Sequence, residues 1–213
     1  ASNKPVADQI ASALPITLQL TFLGLIIAVV IAVILGVISA LYRDRWPDQL
    51  IRVISIVSIA MPSFWLGVLL ILAVFNAHAF QTFPVSGPLP SFASNPGGWF
   101  RRMIIPAFAL AVPVAGQFTR VIRTSVARNV LRNALITPVT VLGLRIGYLI
   151  GGAVVIEVIF GLQGMGMTIV NGIASGYTLL VQGVVLVVAI TFIIINIVVD
   201  MLYILIDPRI RTV

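Results

Sequence analysis

Cysteine is absent from this 213-residue sequence, and histidine occurs once, at His78. Without thiols there is no disulfide framework, no zinc–thiolate site and no cysteine nucleophile. A single imidazole likewise excludes a histidine-rich metal cluster. Charge is also scarce: 9% of residues are Asp, Glu, Lys or Arg, against about a quarter in an ordinary soluble domain. No GxxxxGK[ST] phosphate-binding loop occurs, so any ATP hydrolysis must come from another polypeptide. Acids are fewer than bases, and the net charge is +7 with an isoelectric point near 11.1. In a soluble protein that balance points to nucleic acid. Here the arginines sit at the ends of apolar runs, where they set membrane orientation, and no nucleic-acid partner is expected.

What fills the sequence is hydrophobic: 60% of residues, with a mean hydropathy of +1.17. The excess lies in long uncharged runs, which places the chain in a bilayer. A hydrocarbon layer about 30 Å thick needs roughly 20 helical residues. Five segments qualify, near 14–41, 51–76, 103–122, 133–156 and 179–206. Only helices satisfy the backbone at these lengths in lipid, so an all-α, polytopic transmembrane bundle is predicted. The third segment is the weakest, and Pro106 and Pro113 predict a kink in it. Pro62 in "MPSFWLG" predicts another, with Trp65 beside it as a packing residue.

Basic residues cluster on one side of these spans. Arg43, Arg45, Arg52, Arg120, Arg123, Arg128, Arg132, Arg209 and Arg211 stand against Lys4, Arg101 and Arg102 on the other. The richer side is read as cytoplasmic, which puts the C-terminus inside and the loops 77–102 and 157–178 outside. The opening "ASNKPVADQIASALP" lacks the form of a signal peptide. An external start without a signal predicts a sixth helix missing at the N-terminus.

Several polar residues fall within these greasy segments. Arg145 lies about 18 Å along its helix, near mid-bilayer. Insertion costs about 2.5–3.5 kcal/mol for such an arginine, which its apolar neighbours can offset. It must face a polar interior, a partner or a carboxylate, and both pathway lining and a structural salt bridge fit. Glu157, about another 18 Å along, cannot pair with Arg145 on one straight helix. It begins the glycine-rich "EVIFGLQGMG", which reads either as a fold-back or as an ordinary exposed turn. Asp200 and Asp207 share a face, as a proton-relay pair or, more simply, as a helix–helix contact and a helix stop before Pro208. Asn196 reads as a structural polar residue bonding a neighbouring helix, and Gly36, Ser39 and Ala40 as close helix packing. Arg128 and Arg132 share a face and suit either a partner protein or lipid phosphates.

The ordered set "LPITLQLTFLGLII", "MPSFWLGVLLIL", "FPVSG", "RVIRTS", "LRNALITPVTVLGL", "GGAVVIEVIF" and "NIVVDMLYILIDPRIR" resembles permease subunits of binding-protein-dependent ABC importers. The match is to the dipeptide, oligopeptide and nickel type, over about residues 5 to 211. The resemblance implies a plasma-membrane protein of a bacterium or archaeon that is not itself an enzyme. Its partners would be a second homologous permease, two cytoplasmic ATPase subunits, an external substrate-binding protein and membrane lipid. It implies no cofactor on this chain, with ATP and Mg on the ATPases. It also implies a short outer re-entrant or gate helix after Glu157. Candidates for the translocation pathway or outer gate are then Arg145, Glu157, Gln163, Gly164, Gly166 and Asn171. Candidates for coupling to the ATPase are Arg123, Ser125, Arg128, Arg132 and Asn133, with Asn196 and Asp200 as structural polar groups.

One departure stands out. Family members carry a longer stretch, including a cytoplasmic coupling helix, where "RVIRTS" here runs directly into "VARNVLRNALITP". The coupling segment is either deleted or omitted between 125 and 126. The expectation is one permease domain over 1–213 with the segment omitted, so that Ser125 and Val126 are not truly adjacent, since a deletion would leave no cytoplasmic contact for the ATPase. Substrate is expected to be a di- or oligopeptide, with nickel chelates and glycans as rivals. A self-contained secondary transporter or channel is the alternative; an intramembrane enzyme finds no Ser–His or paired-aspartate arrangement.

Overall fold

The computed structural model describes residues 5–79, 81–128 and 149–206, and the regular elements among them are all helical. They are α1 (Val6–Leu41), α2 (Trp46–Ala60), α3 (Ser63–Asn76), α4 (Pro96–Arg128), α5 (Leu149–Phe160), α6 (Met165–Ala174) and α7 (Thr178–Ile206). Helices α1, α4 and α7 are each long and apolar enough to cross a membrane. Counting the bent pairs α2–α3 and α5–α6 as one span each brings the total to five. Arg132, Asn133, Arg145 and Asp207 lie outside the described residues, as do the side chains of Arg128 and Asp200.

The centre of the bundle is α4, not one of the greasier helices. Its most apolar window has a hydropathy of 1.4 and is 61% buried within the protein, whereas α1 and α7 reach 3.1 and 2.8 with 28% and 11% buried. The two trends have one cause: a helix enclosed by protein needs less lipid-compatible surface. Pro106 and Pro113 are both buried inside this helix and do not end it, as happens where neighbouring helices enclose the freed backbone groups.

Helices α1 and α4 lie side by side and run in the same direction. Gln19 accepts a hydrogen bond from Trp99 at 2.8 Å near one end, and Gly24 sits on Ala107 and Leu110. Towards the other end Gly36 lies against Thr119 and Ile122. Gly24, Ala28, Ala32 and Gly36 recur every fourth residue and are all buried, a stripe of small side chains that brings two backbones together. A Cβ on Gly36 would stand 2.8 Å from Ile122, so the expectation of close packing there is met. Parallel neighbours need a crossover, which α2 and α3 supply. Their axes bend by 104° at Met61 and Pro62, a far sharper turn than the predicted kink. Met61 is extended (φ −85, ψ 119), the conformation a following proline imposes. Trp65, expected to pack, is instead 48% exposed on α3.

Helix α1 begins eight residues before the predicted span. At about 1.5 Å per residue its 36 residues reach roughly 54 Å, well beyond the hydrocarbon thickness. The extra turns have a protein-facing role: Val6, Ile10 and Ala13 pack with Met165, Leu180 and Val184 of α6 and α7. Helix α5 extends the expected fourth span to Phe160, and α7 matches the fifth. Helix α4 passes through Ser125 and Val126 without interruption.

Candidate functional site

The glycine-rich stretch after Glu157 is a hairpin of two short helices, and its turn is built from backbone. Gly161 adopts φ 61 just past α5. Its N–H donates to the Val158 carbonyl at 3.3 Å, and that of Leu162 to the Glu157 carbonyl at 2.8 Å. This paired pattern closes the helix end with a left-handed glycine. The chain then re-enters a helix at Met165, bent 65° from α5. The far end of α6 repeats the device: Gly176 (φ 67) donates to Ile173, and Tyr177 to Gly172.

Glu157 holds the hairpin shut with its side chain as well. The residue is fully buried, and Oε2 accepts the Gly166 N–H at 2.7 Å. The Met165 N–H donates to Thr17 Oγ1 of α1 at 2.9 Å, and the Thr17 hydroxyl is in turn within reach of the Glu157 carboxylate. Thus the first two amides of α6 are capped by side chains from two other helices, and a carboxylate meets the positive end of the helix dipole. Glu157 Oε1 has no partner among the described residues. Gly164 and Gly166 are required here by space. A Cβ on Gly164 would fall on the Glu157 carboxylate, and one on Gly166 would strike the Val154 backbone of α5.

Apart from Arg145, which lies outside the described residues, the expected gate residues divide into two groups. Glu157, Gly164 and Gly166 are scaffold. Gln163 and Asn171 instead line a cavity of about 480 Å³ together with Asp8 and Ser12 of α1 and Thr168 of α6. Beneath the same hairpin lies Arg102, only 1% exposed. Its guanidinium donates to the Phe160 carbonyl at the end of α5, to Gly87 at 3.3 Å and to Pro84 at 3.4 Å. The "FPVSG" loop, residues 83–87, is thereby wrapped around this side chain. Reading Arg102 only as a charge that orients the membrane missed this role.

A second polar cluster sits at the other end of the α1–α4 pair. Asp48, in the first turn of α2, is fully buried. It receives a forked pair of hydrogen bonds from Arg123 of α4, at 2.7 Å from Nε and 2.6 Å from Nη2. Arg52 Nη2 donates at 2.9 Å, the Asp44 N–H at 3.0 Å, and the Ser39 hydroxyl donates as well. One carboxylate thus joins α1, the turn, α2 and α4. Arg123 is occupied by this pairing and Ser125 is buried, so neither expected coupling residue offers a free side chain in this conformation. Asn196 donates to the Phe192 carbonyl of its own helix at 2.8 Å, where a bond to a neighbouring helix was expected. Asp48 and Thr17 were not singled out in the sequence. The available signal for Asp48 was an acid four residues before Arg52, in the first turn of a helix. Nothing local announces Arg123, 75 positions away, as its partner.

Two outcomes follow from these geometries. Asp48→Ala leaves Ser39 without its partner and Arg123 with only the longer contact to Asp44 at 4.0 Å. Removing one member of a fully buried ion pair costs about 3–5 kcal/mol, which is the upper bound here because Arg123 is partly exposed. The thermal midpoint of the detergent-solubilised protein should drop by several degrees. An unchanged midpoint would show that the pair contributes nothing. Gly164→Ala displaces the Glu157 carboxylate and should uncap α6, at about 0.5–2 kcal/mol. Amide exchange in 165–174 would then speed up while exchange in α4 stays slow.

Among the described residues, no three His, Cys, Asp or Glu side chains gather to hold a metal. Residues 32–130 and 124–212 match the family of binding-protein-dependent transport system inner membrane components. The chain is 35% identical, over 98% of its length and 73% of the relative's, to a protein of Brucella abortus (strain 2308) named as a peptide transport system permease. It is 36% identical, over 99% of its length and 72% of the relative's, to the glutathione transport system permease protein of Escherichia coli (strain K12). These matches extend across both polar clusters and the α5–α6 hairpin. The chain belongs to the inner-membrane permeases of binding-protein-dependent ABC importers, multi-pass transport subunits that work with partner subunits and a binding protein and catalyse no reaction themselves.

Proposed function

We propose that this subunit forms half of a translocation pathway for peptides, completed by a second, similar permease and driven by two ATPases that bind ATP and Mg. The α5–α6 hairpin, suspended from Thr17 and Glu157, carries the reading. It is a short helix set at 65° to the end of a span and tied to two other helices through its first amides, a form that suits a gate. The distribution of arginines supports placing that end outside, facing a binding protein, with the Asp48–Arg123 end and the C-terminus in the cytoplasm. The names of the Brucella and Escherichia relatives support peptides, or the peptide-like glutathione, as cargo.

In this reading, the energy source and the gate lie at opposite ends of α1 and α4. ATPase closure displaces the cytoplasmic ends of these helices, which Asp48 holds together with α2. The displacement travels along the packed pair to Thr17, which carries the first amide of α6. Nucleotide and loaded binding protein shift the balance between inward- and outward-open forms only by their differing affinity for each. Arg123 then keeps α4 attached to the α1–α2 turn during the movement and is a positioning residue, not an ATPase contact.

The coupling segment expected between Ser125 and Val126 is part of the proposal. The family match comes in two stretches that overlap at 124–130, and the relatives align over 232 and 234 positions, more than the chain has. The lengths support extra residues in the relatives, and the overlap supports placing them near this point. A tryptic map of the subunit from its source should lack the peptide Thr124–Arg128; finding it overturns the inserted segment. For transport itself, vesicles holding the whole complex should accumulate peptide with ATP and loaded binding protein. Vesicles lacking the ATPases should accumulate none, and uphill uptake by the lone subunit overturns the assignment.

A further inference from the structure

The cavity between the first turns of α1 and the hairpin helix α6 has a defined chemistry. Asp8 and Ser12 stand four apart on one helix, and Thr168 and Asn171 three apart on the other, so two polar faces oppose each other. Gln163 closes one side, and Leu180 supplies apolar surface. Its volume of about 480 Å³ lies in the range of small-molecule sites. Thr168 Oγ1 and Ser12 Oγ already donate to carbonyls of their own helices. Asp8, Gln163 and Asn171 are exposed to the cavity mouth, and their side chains make no hydrogen bond or ion pair with another described residue. Among the described residues the lining therefore offers one carboxylate, the side-chain amides of Gln163 and Asn171 beside that of Gln9, which already has a partner, and no cationic side chain.

We infer that this cavity is a subsite for the positively charged amino terminus of a peptide, with Asp8 facing the ammonium group and Gln163 and Asn171 bonding the first peptide amides. The inference rests on the reading of this end of the bundle as the external mouth of a peptide pathway. A carboxylate unpaired among the described residues attracts an ammonium and repels a peptide's carboxylate end, while side-chain amides match main-chain N–H and C=O groups in both roles. The cavity wall includes α6, so a peptide seated there touches the hairpin that must move. A ligand that contacts one position of the hairpin better than the other shifts its equilibrium. Entry amino terminus first follows from the sign of the charge.

The test uses the complete complex in vesicles with ATP. Two peptides of identical sequence, one with a free amino terminus and one N-acetylated, are supplied at concentrations that saturate the binding protein equally. The native complex should import the free form faster. Asp8→Asn should lower import of the free peptide about three- to tenfold, as expected for losing a partly exposed charged hydrogen bond, and leave the acetylated peptide unchanged. Asp8→Glu should keep the preference. Unaltered import of the free peptide by Asp8→Asn overturns the subsite. So does an equal loss for both peptides, which would make Asp8 a docking residue for the binding protein or a folding residue. If the native complex imports neither peptide, the peptide reading fails first and the subsite with it.

Discussion

Helices α1 and α4 can approach closely because one side of α1 has almost no side chains. Gly24, Ala28, Ala32 and Gly36 fall on one line, and each removes bulk that would hold the two backbones apart. In lipid there is no hydrophobic gain from bringing two greasy helices together, so contact depends on close packing and on bonds between polar groups. The stripe supplies the first, and the second is found at both ends, where Trp99 meets Gln19 and Arg123 meets Asp48. Because the helices run in parallel, the chain must return through α2 and α3. That return places Asp48 beside α4 at one end and the "FPVSG" loop around Arg102 at the other.

The two ends use charge differently. Around Asp48, opposite charges meet in forked geometry with further donors from a hydroxyl and a backbone amide, so the cost of burial is offset by direct pairing. Around the hairpin, Glu157 and Arg102 are each buried, yet both bind backbone groups at helix ends and neither pairs with an ion among the described residues. Helix termini have unmet amides and carbonyls with partial charge, so they can serve as counter-charges. Such bonds hold only while the helix ends stay in place. A paired clamp suits a joint that transmits force, and a capped hairpin suits one that opens.

The span pattern was readable because lipid leaves few choices: uncharged runs of sufficient length must be helices. The glycines after Glu157 marked a break in the helix but left a fold-back and an ordinary exposed turn both open; the short helix beyond them was expected only from the family resemblance. The 104° bend at Pro62 was underestimated because proline marks where a helix stops but not how far the next one turns. Residues 6–13 escaped notice as part of α1, as their apolar positions face α6 and α7 and not lipid. Asp48 is the clearest omission. Its neighbours in "YRDRWPDQLIR" suggested only membrane orientation, and burial by a helix 75 residues further on leaves no local mark. Arg102 was misread for the same reason, since its carbonyl partners come from residues 84, 87 and 160.

The low hydropathy of α4 has a consequence for how the protein is made. A segment with two prolines and modest greasiness partitions poorly from the translocon into bare lipid. It emerges, however, only after α1, α2 and α3 have been synthesised. The glycine–alanine seam on α1 can then receive it as a prepared berth. Insertion and assembly of this helix become one event, and the order of elements along the polypeptide is itself an instruction for biogenesis.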